Sequence, residues 1–475
     1  MSTSNFSASL MLAGMDYIAP SEACTLPTRL QRGADGSVQR HASGNEVVKI
    51  TLQDCLACSG CVTTAETILV TSQSRAEIIK VRASELDRPF LVTISDQSAA
   101  SIAAHLKVDS RRAFHIISGF FRTVLKSQYV SDLRWAQHIS VEKTAQEYCH
   151  RLQHARDKLP MIVSACPGWV CYCEKQGSAI LPLLCPVMSP QGIAGCYAKR
   201  VFPQLCHISV QPCFDRKLEA ARDTSIDGNE RYTDFVLSTQ ELMEWMMETD
   251  ASIPWEAPLN SSFEFLPPPL LKESSSVLAA NMEGSGGYHR FAMQYVAENV
   301  HNLSFSRDDI LYEMKRNANH HVATSPSNPG EVYCVAYGFQ HIQNIVRGLK
   351  RKLASVSSYT FIELMACPDG CLNGGGQVRS GNLTSNLETI AAVKAIFGSY
   401  LFSCVGQRAS GTESRVDVTG APDRKEGEPL CFSLAAFREV EKRVGTPLWC
   451  CVFHDRQQEF EATLNNGGVR SLKWW

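Results

Sequence analysis

From residue 90 onward the chain alternates short β-branched apolar runs with segments whose apolar residues recur every three or four positions. Residues 90–95 (FLVTIS) form the first such run, and a short apolar run bounded by polar residues predicts a buried strand. Asp96 and Ser98 follow as expected helix caps, ahead of a helical stretch reaching Val108. The same grammar predicts strands at 160–164, 207–211, 234–237, 332–337 and 360–365. A helix is predicted over 241–247, capped by Ser238 and Thr239. Another carries Phe339, Ile342, Ile345, Val346 and Leu349 on one face. Alternating strands and helices predict an α/β fold with largely parallel sheets. Residues 31–45, 252–287 and 405–429 read as polar, Gly- or Pro-rich loops, and a last short helix is predicted at 434–443 before apolar TPLWCCVF.

At 475 residues the length allows about three domains, or one large domain with appendages. Hydrophobic residues make up 44% and charged residues 20%, which excludes a largely disordered chain. A formal net charge of −2 gives no reason to expect a polyanion, so nucleic acid is not expected as a partner. The first residues lack the basic start of a signal peptide, and no run approaches 18 apolar residues. A cytoplasmic, reducing compartment and no membrane partner are therefore expected. The 19 cysteines change the picture: in such a compartment clustered thiols bind metal or do redox chemistry.

Two constellations stand out. The first is Cys55, Cys58 and Cys61, spaced Cys-x2-Cys-x2-Cys, with Cys24 the only cysteine upstream. Three thiolates in one tight loop suit three irons of one cubane, whereas structural zinc usually takes two separated pairs. A zinc knuckle or unused thiols are the alternatives. The second is distributed: Cys166, Cys213, Cys367 and Cys371 each lie just past the end of a predicted strand. That edge is where open α/β sheets bind ligands. The neighbouring Pro167, Pro212 and Pro368 bend the chain away, and Gly374–Gly376 let backbone pass close to a bulky group. The alternative is four separate core thiols. Cys171, Cys173, Cys450 and Cys451 have no ligand spacing, and His320 and His321 read as a solvated polar loop.

ACPGW at 165–169, PCFDRKLEA at 212–220 and ELMACPDGCLNGGGQ at 363–377 resemble the three signature segments of iron-only hydrogenases. With Cys24 and CLACSGC, the chain resembles the hydrogenase-like cytosolic iron–sulfur assembly factors, the nuclear prelamin A recognition factor-like family. The likeness is dense from Phe90 to Gln377. It implies an α/β fold of two lobes, with mostly parallel sheets flanked by helices, plus a small ferredoxin-like N-terminal region. The implied division is an N-terminal iron–sulfur region at 1–85, a hydrogenase large-subunit-like domain at 86–378 and a small-subunit-like C-terminal region with tail at 379–475.

The resemblance also implies two 4Fe–4S clusters. Cys24, Cys55, Cys58 and Cys61 would hold one, and Cys166, Cys213, Cys367 and Cys371 the other, with Cys371 at the position that bridges to the di-iron unit in hydrogenases. It implies cluster delivery to target apoproteins, between early scaffold proteins and a cytosolic targeting complex with a WD40-repeat propeller subunit, rather than enzymatic turnover. No catalytic residue is assigned. Alternatives are an iron-only hydrogenase with a di-iron site and a zinc-stabilised interaction protein.

Several residues depart from the hydrogenase pattern. Ala165 stands where hydrogenases carry a proton-relaying cysteine, and alanine has no titratable proton. Gln211 replaces a methionine, Arg216 a lysine, and Tyr288-His289-Arg290 stand where relatives tend to be acidic. Family members often end in a tryptophan that docks on the targeting complex. This chain ends Leu472-Lys473-Trp474-Trp475, so Trp475 fits while its neighbour is neither acidic nor small.

Overall fold

The computed structural model describes residues 72–222, 231–249, 284–379, 387–397 and 434–456, with a few isolated positions elsewhere. Cys24, Cys55, Cys58, Cys61, residues 252–283 of the predicted loop at 252–287, the predicted loop at 405–429, and the tail with Trp475 lie outside the described residues.

Helix α1 (Arg75–Ser84) leads into β1 (Phe90–Ile94), α2 (Asp96–Leu106), α3 (Ser110–Val124) and β2 (Tyr129–Asp132). Then come α4 (Arg134–His154), β3 (Met161–Val163), α5 (Pro167–Gln176), α6 (Pro190–Val201), β4 (Cys206–Gln211), α7 (Asp215–Ala221), β5 (Phe235–Ser238) and α8 (Thr239–Glu248). The chain continues through α9 (Tyr288–Asn299), β6 (Tyr312–Met314), β7 (His320–Thr324), β8 (Val332–Tyr337), α10 (Phe339–Lys350), α11 (Ala354–Ser357) and β9 (Phe361–Met365), and α12 (Leu434–Val444) follows near the C-terminus.

The strands form two main sheets. The first has the order β2-β1-β4-β5 and is wholly parallel. The second has the order β3-β9-β8-β7-β6, with β3, β9 and β8 parallel and the last two strands antiparallel. Parallel strands covered on both faces read as unbroken apolar runs, which explains why 90–94 and 361–365 were legible. Every residue of β1 and of β9 is buried. Around the first sheet, Ile78, Phe90, Val92, Ile117 and Phe120 share one core, where Trp245 meets Phe120 edge-on with ring centres 5.4 Å apart. Each such side chain withdrawn from water contributes about 1.5–3 kcal/mol. A second core wraps the other sheet through Tyr148, Trp169, Tyr333 and Phe361. The C-terminal helix closes a third through Phe437, packed with Trp135 and Tyr197.

Local details differ from expectation. Ser95, rather than Asp96 or Ser98, caps α2, and its hydroxyl accepts from the Ser98 amide. Ser238 caps α8 in a full capping box with Glu241, and Thr239 is the first helical residue. His320 and His321 are not in a loop: they pair in β7 with Ala336 and Val335 of β8. Two polar residues at the head of a short strand give no alternating signal, and the neighbouring ladder overrides their local preference.

The two sheets meet where the chain leaving β9 crosses to the first. The Gly376 amide donates to the Pro212 carbonyl at 2.9 Å, and the Gly376 carbonyl accepts from the Gln240 amide at 2.8 Å. A Cβ on Gly376 would lie 2.8 Å from the Ser238 Cβ and 3.1 Å from the Cys213 Cα. Neither neighbour is a flexible side-chain end. Gly376→Ala is therefore expected to lower stability by about 1–3 kcal/mol through overpacking, read as a fall in melting temperature. An unchanged melting temperature would contradict this crossing.

His207 sits in the middle of the first sheet. Its ring bonds the Thr93 hydroxyl at 2.9 Å and lies 3.1 Å from the Tyr232 carbonyl. Burial lowers its pKa from the ordinary 6.5 to about 4. The unfolded chain thus binds the proton more readily, and the contribution of neutral His207 is complete above pH 6.5. It is lost as pH falls from 6.5 towards 4, by about 3 kcal/mol in all. Urea unfolding at pH 7.5, 6 and 5 is expected to show a steeper acid loss in the parent than in His207→Gln.

Candidate metal centre

Three of the predicted strand exits converge. Cys213 follows β4 of the first sheet, Cys166 follows β3 of the second, and Cys367 and Cys371 follow β9 of the second. Parallel strands end on one edge, so their exits supply side chains to a shared crevice. Cys166 and Cys213 are buried, and Cys367 and Cys371 are partly covered. The loop holding the last two is fixed by backbone geometry. Asp369 and Gly370 both have left-handed backbone, with φ of 60° and 71°. A Cβ on Gly370 would sit 2.1 Å from the Ser285 hydroxyl. That hydroxyl accepts from the Cys371 amide at 3.0 Å, while the Asp369 amide donates to the Asn319 side chain at 2.7 Å.

The four sulfurs share one electrostatic environment. Burial pushes the Cys166 thiol up to about 12, and the Asp215 carboxylate and Cys371 push in the same direction. Burial raises Cys213 well above its ordinary range, with Asp215, Cys166 and Cys367 adding to the effect. Cys367 is raised by burial, Cys166, Asp215 and Cys371. Burial also raises Cys371, but Arg216 and the Ser285 hydroxyl draw it back. Arg216 is itself buried; burial would lower its pKa, yet Glu219 and the sulfurs of Cys213 and Cys371 hold it higher.

Without a cation these four groups are neutral thiols. As thiolates they need a compact positive partner, since a buried unpaired charge costs several kcal/mol. Among the described residues, no group of three or more His, Cys, Asp or Glu side chains is arranged to hold a metal ion. Tetrahedral thiolates on one zinc, at Zn–S of about 2.3 Å, would lie only about 3.8 Å apart. A cubane binds each thiolate at a different corner, and cysteine is its usual ligand. Four cysteines are the donor set that an iron–sulfur cluster takes.

Other thiols stand apart. Cys171 and Cys451 act on Arg222, which pairs with Glu174. Cys173 is a buried core thiol, raised by burial, and burial pushes Cys450 to about 11. Two features next to the site were not singled out from sequence. Ser285 supports Cys371. Glu363, a charge inside the apolar run of β9, pairs with His289 Nδ1 at 2.7 Å and accepts from the Tyr337 hydroxyl at 2.8 Å. Burial alone would raise Glu363, but His289 and Tyr337 hold it below the usual carboxylate range. The glutamate interrupting TFIELM was the legible signal for this second network.

Residues 88–375 match the family model described as iron only hydrogenase large subunit, C-terminal domain. A probable cytosolic Fe-S cluster assembly factor of Aedes aegypti is 34% identical, covering 83% of this chain and 89% of the relative. The cytosolic iron-sulfur assembly component 3 of Rattus norvegicus is also 34% identical, with the same coverages. An apo FeFe-hydrogenase variant from Chlamydomonas reinhardtii superposes with a TM-score of 0.57 at 18% identity, covering 80% of this chain and 99% of that one. The last likeness shows the fold alone, and the two-lobed α/β architecture agrees with it. No helix among the described residues is long and apolar enough to cross a membrane. With a family model spanning more than half its length and relatives matched along most of theirs, the chain belongs to the hydrogenase-like cytosolic iron–sulfur cluster assembly factors, a branch of the iron-only hydrogenase family.

Proposed function

We propose that this chain binds two 4Fe–4S clusters and serves cytosolic iron–sulfur protein assembly, mediating cluster delivery between early scaffold proteins and a late targeting complex. The observation that carries the reading is the convergence of Cys166, Cys213, Cys367 and Cys371 from two sheets into one buried environment. These four would hold the inner cluster. Cys24, Cys55, Cys58 and Cys61 would hold the outer one, within an N-terminal region at 1–85 that precedes the large-subunit-like domain at 86–378 and the C-terminal region at 379–475. The relatives' names support the cytosol as the place of work.

When bound, the clusters supply one-electron chemistry. The chain's own contribution is to bind, shield and balance charge. The four thiols give up their protons on loading, which makes loading easier as pH rises. Arg216 offsets part of the negative charge at Cys213 and Cys371, and the surrounding packing buries Cys166 and Cys213. Ala165, beside Cys166, carries no proton, so the residue that would feed a hydrogen-forming site is missing. The protein then works as an assembly factor and not as a hydrogenase. The Trp475 indole is the anchor proposed for the targeting complex and its WD40-repeat propeller subunit.

Cys213→Ala is expected to halve the iron of anaerobically reconstituted protein, from about eight atoms per chain to about four. The remaining cluster is expected to keep its EPR signal. Equal iron in variant and parent would contradict the ligand assignment, and clear hydrogen evolution by the parent would favour the di-iron hydrogenase reading.

A further inference from the structure

We infer that His320 and His341 form a site for one divalent transition-metal ion, held by two imidazole nitrogens and completed by water, on the flank of the loop that carries Cys367 and Cys371. The inference does not depend on how those cysteines are filled.

The two histidines come from different elements. His320 heads β7 and is half-buried. His341 lies in the first turn of α10 and is 6% exposed. Strand β8 pairs with β7 and passes through Gly338 into α10, which brings His341 back to the head of β7. The ring centres are 5.2 Å apart. Two imidazoles on one tetrahedral zinc ion, at about 2.0–2.1 Å per nitrogen, have ring centres about 5 Å apart.

Nδ1 of His320 and Nδ1 of His341 are both buried, and neither has a hydrogen-bond partner among the described residues. A buried ring nitrogen left this way gives up its hydration without compensation. An ion or ordered water is a standard reason for such an atom in a native structure, and here two of them stand on neighbouring rings. The far nitrogen of His320, Nε2, lies 3.7 Å from Cys334 Sγ. The tautomer that donates from Nε2 to this sulfur leaves a bare lone pair on Nδ1, and metal-bound histidines are oriented by such a partner on the other nitrogen.

The surrounding charges keep both rings neutral, the form that ligates metal. Burial lowers the His320 pKa to about 4, with His341, Arg316, His321 and Lys315 pushing the same way. Burial and Arg316 lower that of His341. Lys315 and Arg316 also repel a bound cation, but Lys315 is paired with Glu313 at 2.6 Å and Arg316 is exposed, where salt screens it.

The pair borders the cysteine loop. Asn319, next to His320, accepts from the Tyr337 amide with its carbonyl and from the Asp369 amide with its side chain, both at 2.7 Å. A Cβ on Gly338 would lie 3.7 Å from Pro368 Cγ and 3.9 Å from His341 Cδ2. Two protein nitrogens leave the other positions of a four-coordinate ion to water, so the ion is exchangeable. Imidazole selects zinc, nickel and copper over magnesium and calcium, which take oxygen ligands.

The test uses the full chain, reconstituted anaerobically with iron and sulfide and then titrated with zinc. X-ray absorption at the zinc edge is expected to show one zinc per chain in a nitrogen and oxygen shell at about 2.0–2.1 Å, distinct from sulfur at about 2.3 Å. Iron content is expected to stay unchanged, and magnesium is expected not to compete. By calorimetry, His320→Ala and His341→Ala should each weaken this binding at least about tenfold. His150→Ala breaks a second pair of neighbouring imidazoles, His150 and His154 on α4, whose ring centres are 5.3 Å apart; it is expected to keep the parental affinity. Zinc held only through sulfur, no zinc binding, or parental affinity in both His320→Ala and His341→Ala would overturn the inference. If His341→Ala fails to fold, His320→Ala decides the matter. A zinc-dependent rise in melting temperature that persists in His320→Ala rejects the site.

Discussion

Four thiolates cannot be buried together without a positive partner, and the inner site is built around that constraint. Burial raises all four thiols, and mutual repulsion with the Asp215 carboxylate raises three of them further. Left empty, the site holds neutral sulfhydryls. A cation-rich cluster held by these four residues would share the thiolates' charge with the metal, and Arg216 would offset part of it. An environment that suppresses deprotonation would couple metal binding to proton release.

The fold supplies that environment through two parallel sheet edges. Neither sheet alone gathers four cysteines: one gives Cys213 and the other gives Cys166, Cys367 and Cys371. The site exists because the chain leaving β9 runs across to the first sheet at Pro212 and Gln240. Glycine at 370 and 376 permits the turn and the close passage. Glu363 and Arg216 act on Cys371 in opposite directions, the anion raising its pKa and the cation lowering it. This architecture is shared with hydrogenases at below 25% identity.

Much of this was legible in the sequence where one physical signal dominated. β1, β4, β8 and β9 are buried along most of their length, and their β-branched or apolar runs stood out to within a residue or so. The cysteines at three strand exits followed from the same reading. What the sequence hid depends on tertiary pairing. Tyr129–Asp132 is a strand because β1 lies beside it, and His320–Thr324 because β8 does. Lys217 sits in a stretch recognised for Cys213, and nothing local reveals that its amine turns inward to the Gln73 carbonyl. Ser285 lies at the end of a predicted loop, and only the fold carries it to Cys371.

The central claim is that Cys166, Cys213, Cys367 and Cys371 grip one object made of iron and sulfide. The most direct measurement is anomalous diffraction at the iron absorption edge from crystals of anaerobically purified protein. The account predicts one compact group of iron peaks, with each of the four sulfurs bonded to a different corner at about 2.3 Å. Four free sulfhydryls with no iron between them, or one zinc ion in place of the cluster, would contradict it.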